Sequence, residues 1–102
     1  AVSGSGPAYV FYMIESMTMA GISAGLSPAV SEKLARQTVI GSAALAEKDS
    51  VTPAATLRQN VTSPGGTTEA ALKVLMSEKD GLSDLMTRTV QAAKQRGIEL
   101  AD

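Results

Sequence analysis

The segment from Tyr9 to Ile22 constrains this chain more than any other. On a helix its apolar side chains, among them Tyr9, Val10, Phe11, Met13, Met17 and Ile22, cover most of the circumference. A helix that is apolar all round must be covered all round. A chain of 102 residues makes one domain with a small core, and such a core has few places to enclose a helix so completely. The first expectation is therefore a helix shared with a second subunit. A membrane span is the other way to hide such a surface, but spanning takes about 18–20 residues with few charges. This run is shorter and contains Glu15. The opening AVSGSGPAYV has neither the basic start nor the apolar stretch of a signal peptide. It also lacks an initial Met, so the chain reads as a piece of something longer.

Composition narrows the chemistry. The 9 basic and 10 acidic residues give a net charge of −1, which argues against a nucleic-acid partner. There is no cysteine and no histidine. Disulfides, zinc sites of the usual kind, thiol nucleophiles and histidine acid–base schemes are thereby excluded. The absence of cysteine is compatible with the cytosol. The chain has sixteen alanines and nine glycines, and aromatics are 3% of it. That suits helices in close contact better than a sheet of branched and aromatic residues.

Punctuation divides the chain into five helical segments and no convincing strand, an all-α reading without internal repeats. The first helix follows GSGP, with Ser5 as cap and Pro7 early in the first turn, and runs to about Ala24 before Gly25. The second opens on Ser27-Pro28 and continues until a polar connection at 47–50. Its charges, Glu32, Lys33 and Arg36, lie in its first half. Gly41, Ser42, Ala43 and Ala44 give the second half a surface that another backbone can approach. That half fits either a tightly packed core or, better, a subunit interface. A short third helix starts at Thr52-Pro53 and ends near Asn60. The fourth spans about Thr67 to Lys79 with Leu72, Leu75 and Met76 inward. After Asp80-Gly81 the last helix spans about Leu82 to Leu100, with Leu82, Leu85, Met86, Val90 and Ala93 on one face and an Asp84–Arg88 pair on the other.

One segment has the look of a site. In Ser63-Pro64-Gly65-Gly66-Thr67-Thr68 the Pro and glycines allow a sharp turn and clear side chains from a ligand's path. The next helix begins with unpaired N–H groups and the positive end of its dipole. Thr67 and Thr68 add hydroxyls. Together these suit a carboxylate or phosphate, although the hexapeptide alone is explained more simply as a helix-to-helix turn capped by Ser or Thr. It is not a P-loop, for it lacks the lysine. Ser3-Gly4-Ser5-Gly6-Pro7 is not a dinucleotide fingerprint either: Tyr9 stands where the third glycine belongs, and no strand precedes it. Met13, Met17 and Met19 read as gap-filling core. Glu15, inside an apolar helix, either lies on an exposed strip with Ser16 and Thr18 or needs a partner or polar cavity.

Three strings taken in order carry a resemblance: AVSGSGPAYVFYMIE at the start, GLSP after AGISA, and NVTSPGGTTEAAL at 60–72. Over essentially its whole length the chain resembles the C-terminal domain of pyrroline-5-carboxylate reductase. The resemblance implies a five-helix dimerisation domain whose long helices interdigitate with those of a second copy, in some members within a decamer. It implies a cytoplasmic enzyme that reduces 1-pyrroline-5-carboxylate to L-proline with NADPH or NADH, the cofactor being held mainly by an N-terminal Rossmann domain that precedes residues 1–102. Ser63 and the backbone at Thr67, with Gly65 and Gly66 shaping the loop, would hold the substrate carboxylate. The Thr68 hydroxyl would hydrogen-bond the ring nitrogen, Asn60 would reach the cofactor, and Glu15 would lie near the substrate. Gln59 departs from the acidic residue usual there, and Arg58 stands for a common Lys; the first change alters the charge beside Asn60. Without the cofactor domain the chain alone is expected to be inactive. Two other readings remain open: a non-catalytic helical pairing module, and the helical domain of another imine or hydroxyacid reductase.

Overall fold

The computed structural model describes residues 1–101. It has five helices, α1 (Gly6–Ser23), α2 (Pro28–Lys48), α3 (Ala54–Asn60), α4 (Thr67–Leu75) and α5 (Leu82–Ala101), and no strand among the described residues. The all-α expectation holds. The chain forms two compact units, one of Ser5–Thr52 with α1 and α2, the other of Ala1–Gly4 together with the chain from Pro53 onward.

In the first unit the GLSP segment folds α2 back on α1. The N–H of Leu26 donates to the Gly21 carbonyl and that of Gly25 to the Ile22 carbonyl, both at 3.0 Å. This is the paired bonding of a Schellman helix end, which needs a residue at positive φ; Gly25 supplies it at φ +112. Ser27 is extended, and its hydroxyl accepts from the Val30 N–H at 3.3 Å, with Pro28 in the first turn of α2. Small residues then let the helices meet. Ser31 and Ala35, one turn apart on α2, are 2% and 5% exposed. The Ser31 hydroxyl donates to the Thr18 carbonyl at 2.7 Å, and a Cβ on Gly21 would strike Ser31 Oγ.

The structure corrects three details. Ser5 precedes α1 with αR backbone (φ −91, ψ −20) and its side chain makes no cap; a capping hydroxyl reaches the N2 or N3 amide from an extended residue. α2 runs on through Glu47 to Lys48, whose charge suits the C-terminal end of a helix. α4 stops at Leu75, short of Lys79. There the chain doubles back so closely that a Cβ on the buried Gly81 would meet the carbonyls of Ser77 and Leu75, space that a longer α4 would occupy.

Neither unit closes a core of large side chains. α1 has no buried residue, and Phe11, Tyr12 and Met19 are all more than 60% exposed. Met13 and Met17, expected as core, are exposed as well. In the second unit α3, α4 and α5 touch one another only glancingly. Leu75 and Met76, expected to face inward, and Leu85 of the apolar face of α5 are about half exposed, whereas Leu72, Leu82, Met86, Val90 and Ala93 are half-buried. The Asp84–Arg88 pair forms on α5 at 3.3 Å in full view of solvent, where it contributes about 0.3–0.5 kcal/mol. No helix among the described residues is long and apolar enough to cross a membrane.

Candidate functional site

α3 ends in a tightened turn that delivers the chain to the loop. The N–H groups of Val61 and Thr62 donate to the carbonyls of Arg58 and Gln59 at 3.3 and 3.1 Å, and the Thr62 hydroxyl donates to the Arg58 carbonyl at 2.6 Å. Then Ser63-Pro64-Gly65-Gly66 turns sharply, closed by the Gly66 N–H donating to the Ser63 carbonyl at 3.0 Å. Pro in the second place and a glycine at φ +73 in the third mark a type II turn. Gly66 is glycine for another reason: a Cβ there would lie 3.2 Å from the Ser63 carbonyl oxygen.

Gly66 is also the N-cap of α4, with extended backbone (φ −90, ψ −174) and no side-chain cap. The simpler reading, a turn capped by Ser or Thr, is thus not what forms. The first intrahelical bond runs from Ala70 N–H to Gly66 at 3.3 Å. The N–H groups of Thr67, Thr68 and Glu69 at the head of α4 have no partner among the described residues, nor have the Thr67 and Thr68 hydroxyls. Ser63, Thr67 and Thr68 are exposed. Chemically this is a cluster of backbone and hydroxyl donors at the positive end of a helix dipole, a place that favours an anion.

Of the residues singled out in the sequence, the structure brings Asn60, Ser63, Gly65, Gly66, Thr67 and Thr68 into one stretch of the second unit, spanning the end of α3, the turn and the start of α4. Glu15 belongs to the first unit and is exposed on α1, so within this chain its carboxylate bears no burial cost. Beside the loop lies an open, mostly apolar groove between α3 and α4, lined by Arg58, Thr62, Glu69, Leu72, Lys73 and Met76. The sequence reading missed Glu69. Its carboxylate reaches back from the first turn of α4 and accepts from the Gly65 N–H at 3.2 Å. Its sequence signal was available: an acidic residue in a helix's first turn, one turn past a glycine turn.

These features define a class: helical domains with broad apolar surface left uncovered and a donor-rich turn at the head of a helix. More narrowly, the chain belongs to the pyrroline-5-carboxylate reductase dimerisation family, whose sequence profile matches residues 1–100. It is 47% identical to a pyrroline-5-carboxylate reductase of Pseudomonas aeruginosa over 102 residues, covering 100% of this chain and 36% of that protein. It is 48% identical to the Synechocystis enzyme of the same name over 99 residues, covering 97% of the chain and 36% of the relative. The crystal structure of Plasmodium falciparum pyrroline carboxylate reductase with NADP bound superposes with a TM-score of 0.73 at 38% identity, covering 96% of this chain and 35% of that one. The chain therefore spans about a third of the length of the relatives it matches.

Proposed function

We propose that this chain is the dimerising, substrate-carboxylate-binding part of an NAD(P)H-dependent pyrroline-5-carboxylate reductase, an enzyme of proline biosynthesis working in the cytoplasm. One observation carries the reading: the Ser63–Gly66 turn hands the chain to an uncapped α4, leaving a row of donors open to a carboxylate. The family supplies the substrate, a small cyclic imine with a carboxylate.

The described residues contain no strand and hence no βαβ cradle for a dinucleotide. They do not fit the cofactor by themselves. An N-terminal Rossmann domain outside residues 1–102 would hold it, with Asn60 as this chain's one contact. Held there, the nicotinamide would supply the hydride that the C=N carbon needs, with a proton added at the nitrogen. What this chain contributes is placement. Ser63 and the Thr67 N–H anchor the carboxylate, Gly65 and Gly66 shape the turn, and the Thr68 hydroxyl sits beside the ring nitrogen. Glu15, exposed within this chain, would approach the substrate only in the assembled enzyme. The exposed apolar girdle of α1 and the small-residue half of α2 are covered by a second copy, their long helices interdigitating, and dimers pair further into rings such as a decamer.

The test is Ser63→Ala and Thr67→Pro in the full-length enzyme. Pro at the first helical position removes an N–H with little cost to the helix, and Gly66 before it already has the extended backbone that Pro requires. Each variant is expected to raise KM for pyrroline-5-carboxylate about tenfold, the worth of one hydrogen bond to a charged group, with the oligomer intact by sedimentation. Unchanged KM in both would favour a pairing module in which the loop is only a turn.

A further inference from the structure

The Pro64–Gly65 peptide at the centre of the turn has two orientations. Type I and type II turns share nearly the same Cα path and differ by a flip of this central peptide, which reverses its N–H and C=O. Pro at the second place admits both, and glycine at the third admits the positive φ of type II and the negative φ of type I. The sequence of the turn alone therefore leaves the peptide a choice. In the structure the choice is made: φ of Gly65 is +73 and its N–H donates to Glu69 Oε1 at 3.2 Å. The bond spans a single turn of chain, from the loop to the head of the helix it precedes. A carboxylate in the first helical turn is also favoured by the dipole, which holds Glu69 in place.

We propose that Glu69 is a positioning residue for the substrate loop: by accepting from the Gly65 N–H it locks the Pro64–Gly65 peptide in one of its two orientations and so keeps the loop competent to receive a carboxylate. The proposal rests on the reading of Ser63–Thr68 as the carboxylate loop. A peptide dipole that is fixed before binding costs nothing to reorganise when the anion arrives. One that flips leaves only a fraction of molecules competent, and apparent affinity falls by that fraction. Glu69 does this without touching the reacting atoms, so its loss weakens substrate capture rather than hydride transfer.

The experiment is steady-state kinetics of the full-length enzyme carrying Glu69→Ala, Glu69→Gln or Gly65→Ala, with Ser63→Ala as the reference for the loop. Glu69→Ala is expected to raise KM for pyrroline-5-carboxylate about fivefold, the worth of one ordinary hydrogen bond, while kcat changes less than about twofold. Glu69→Gln keeps an acceptor at the same reach and should bring KM back toward the parent value. Gly65→Ala opposes the positive φ with Glu69 still present, and should raise KM in the same way. If Ser63→Ala raises KM and Glu69→Ala does not, the loop stands and the role of Glu69 is overturned. A Glu69→Gln enzyme as impaired as Glu69→Ala also overturns it, because charge rather than the bond would then matter. If none of the variants moves KM, the carboxylate loop itself fails, and this role with it.

Discussion

Gly65 and Gly66 stand side by side and are needed for different physical reasons. The first takes a positive φ, the second keeps a Cβ away from the Ser63 carbonyl. Gly41, by contrast, meets nothing within 4 Å and has ordinary φ within this chain, so its smallness serves a surface rather than a turn. Thr68 shows how far a single side chain can be argued. Its hydroxyl is exposed and unpartnered among the described residues, at the head of α4. A neutral hydroxyl is a weak acid, so under the proposed function its part would be to orient the imine nitrogen or relay a proton to it. Thr68→Ala in the full-length enzyme is expected to lower kcat by about 10- to 100-fold, at or below the usual range for a lost proton-transfer group, with a smaller rise in KM. An unchanged kcat would remove Thr68 from the chemistry. The residue types of the loop were readable in the sequence, because Pro, Gly and Thr have strong local meanings. The Glu69–Gly65 bond was not, since a glutamate in a first turn is equally at home facing water.

Among the elements, the α1–α2 hairpin is the best specified. A Schellman end, a serine cap and a first-turn proline are consecutive, and each depends on neighbours within a few residues. The packing that follows is set by size. Gly21 on α1 lies against Ser31 on α2, whose hydroxyl bonds back to Thr18 at 2.7 Å. Gly21→Ala would displace the Ser31 hydroxyl from its bond to Thr18 and crowd Ser31 Cβ and Leu26, and is expected to destabilise the protein by about 1–3 kcal/mol, the usual cost of overpacking a close contact, measured by denaturant unfolding. A variant as stable as the parent would show that this approach is not tight. α4 is the element that local reasoning misjudged. Nothing between Leu75 and Lys79 forbids a helix by propensity. Instead the chain doubles back within a few residues and brings Gly81 against the Ser77 and Leu75 carbonyls, a local turn that helix propensity does not report.

At the scale of the whole molecule the dominant fact is exposed apolar surface. α1 is apolar over most of its circumference and buries no residue, and α5 presents Leu85 half exposed. Such faces are stable when something covers them, and the cover proposed above is a second copy. Met17, 39% exposed on α1, belongs to that surface. Met17→Asp is expected to give monomer or aggregate by analytical sedimentation, since an unpaired carboxylate cannot be buried cheaply; a well-folded oligomer of unchanged mass would exclude this face from the interface. Sequence alone was enough for the all-α class, the helix order, the GLSP and SPGGTT turns and the excess of apolar surface. Those follow from periodicity, from backbone preferences of single residues and from counting apolar surface, all of which act over a few residues or over none. The folded backbone chose among local options that the sequence left open: where α4 stops, that Gly66 rather than a hydroxyl opens it, and that the Glu69 carboxylate accepts from Gly65. Tertiary structure decided the meeting of Gly21 and Thr18 with Ser31, because those atoms lie on different helices and come together only once the hairpin has closed.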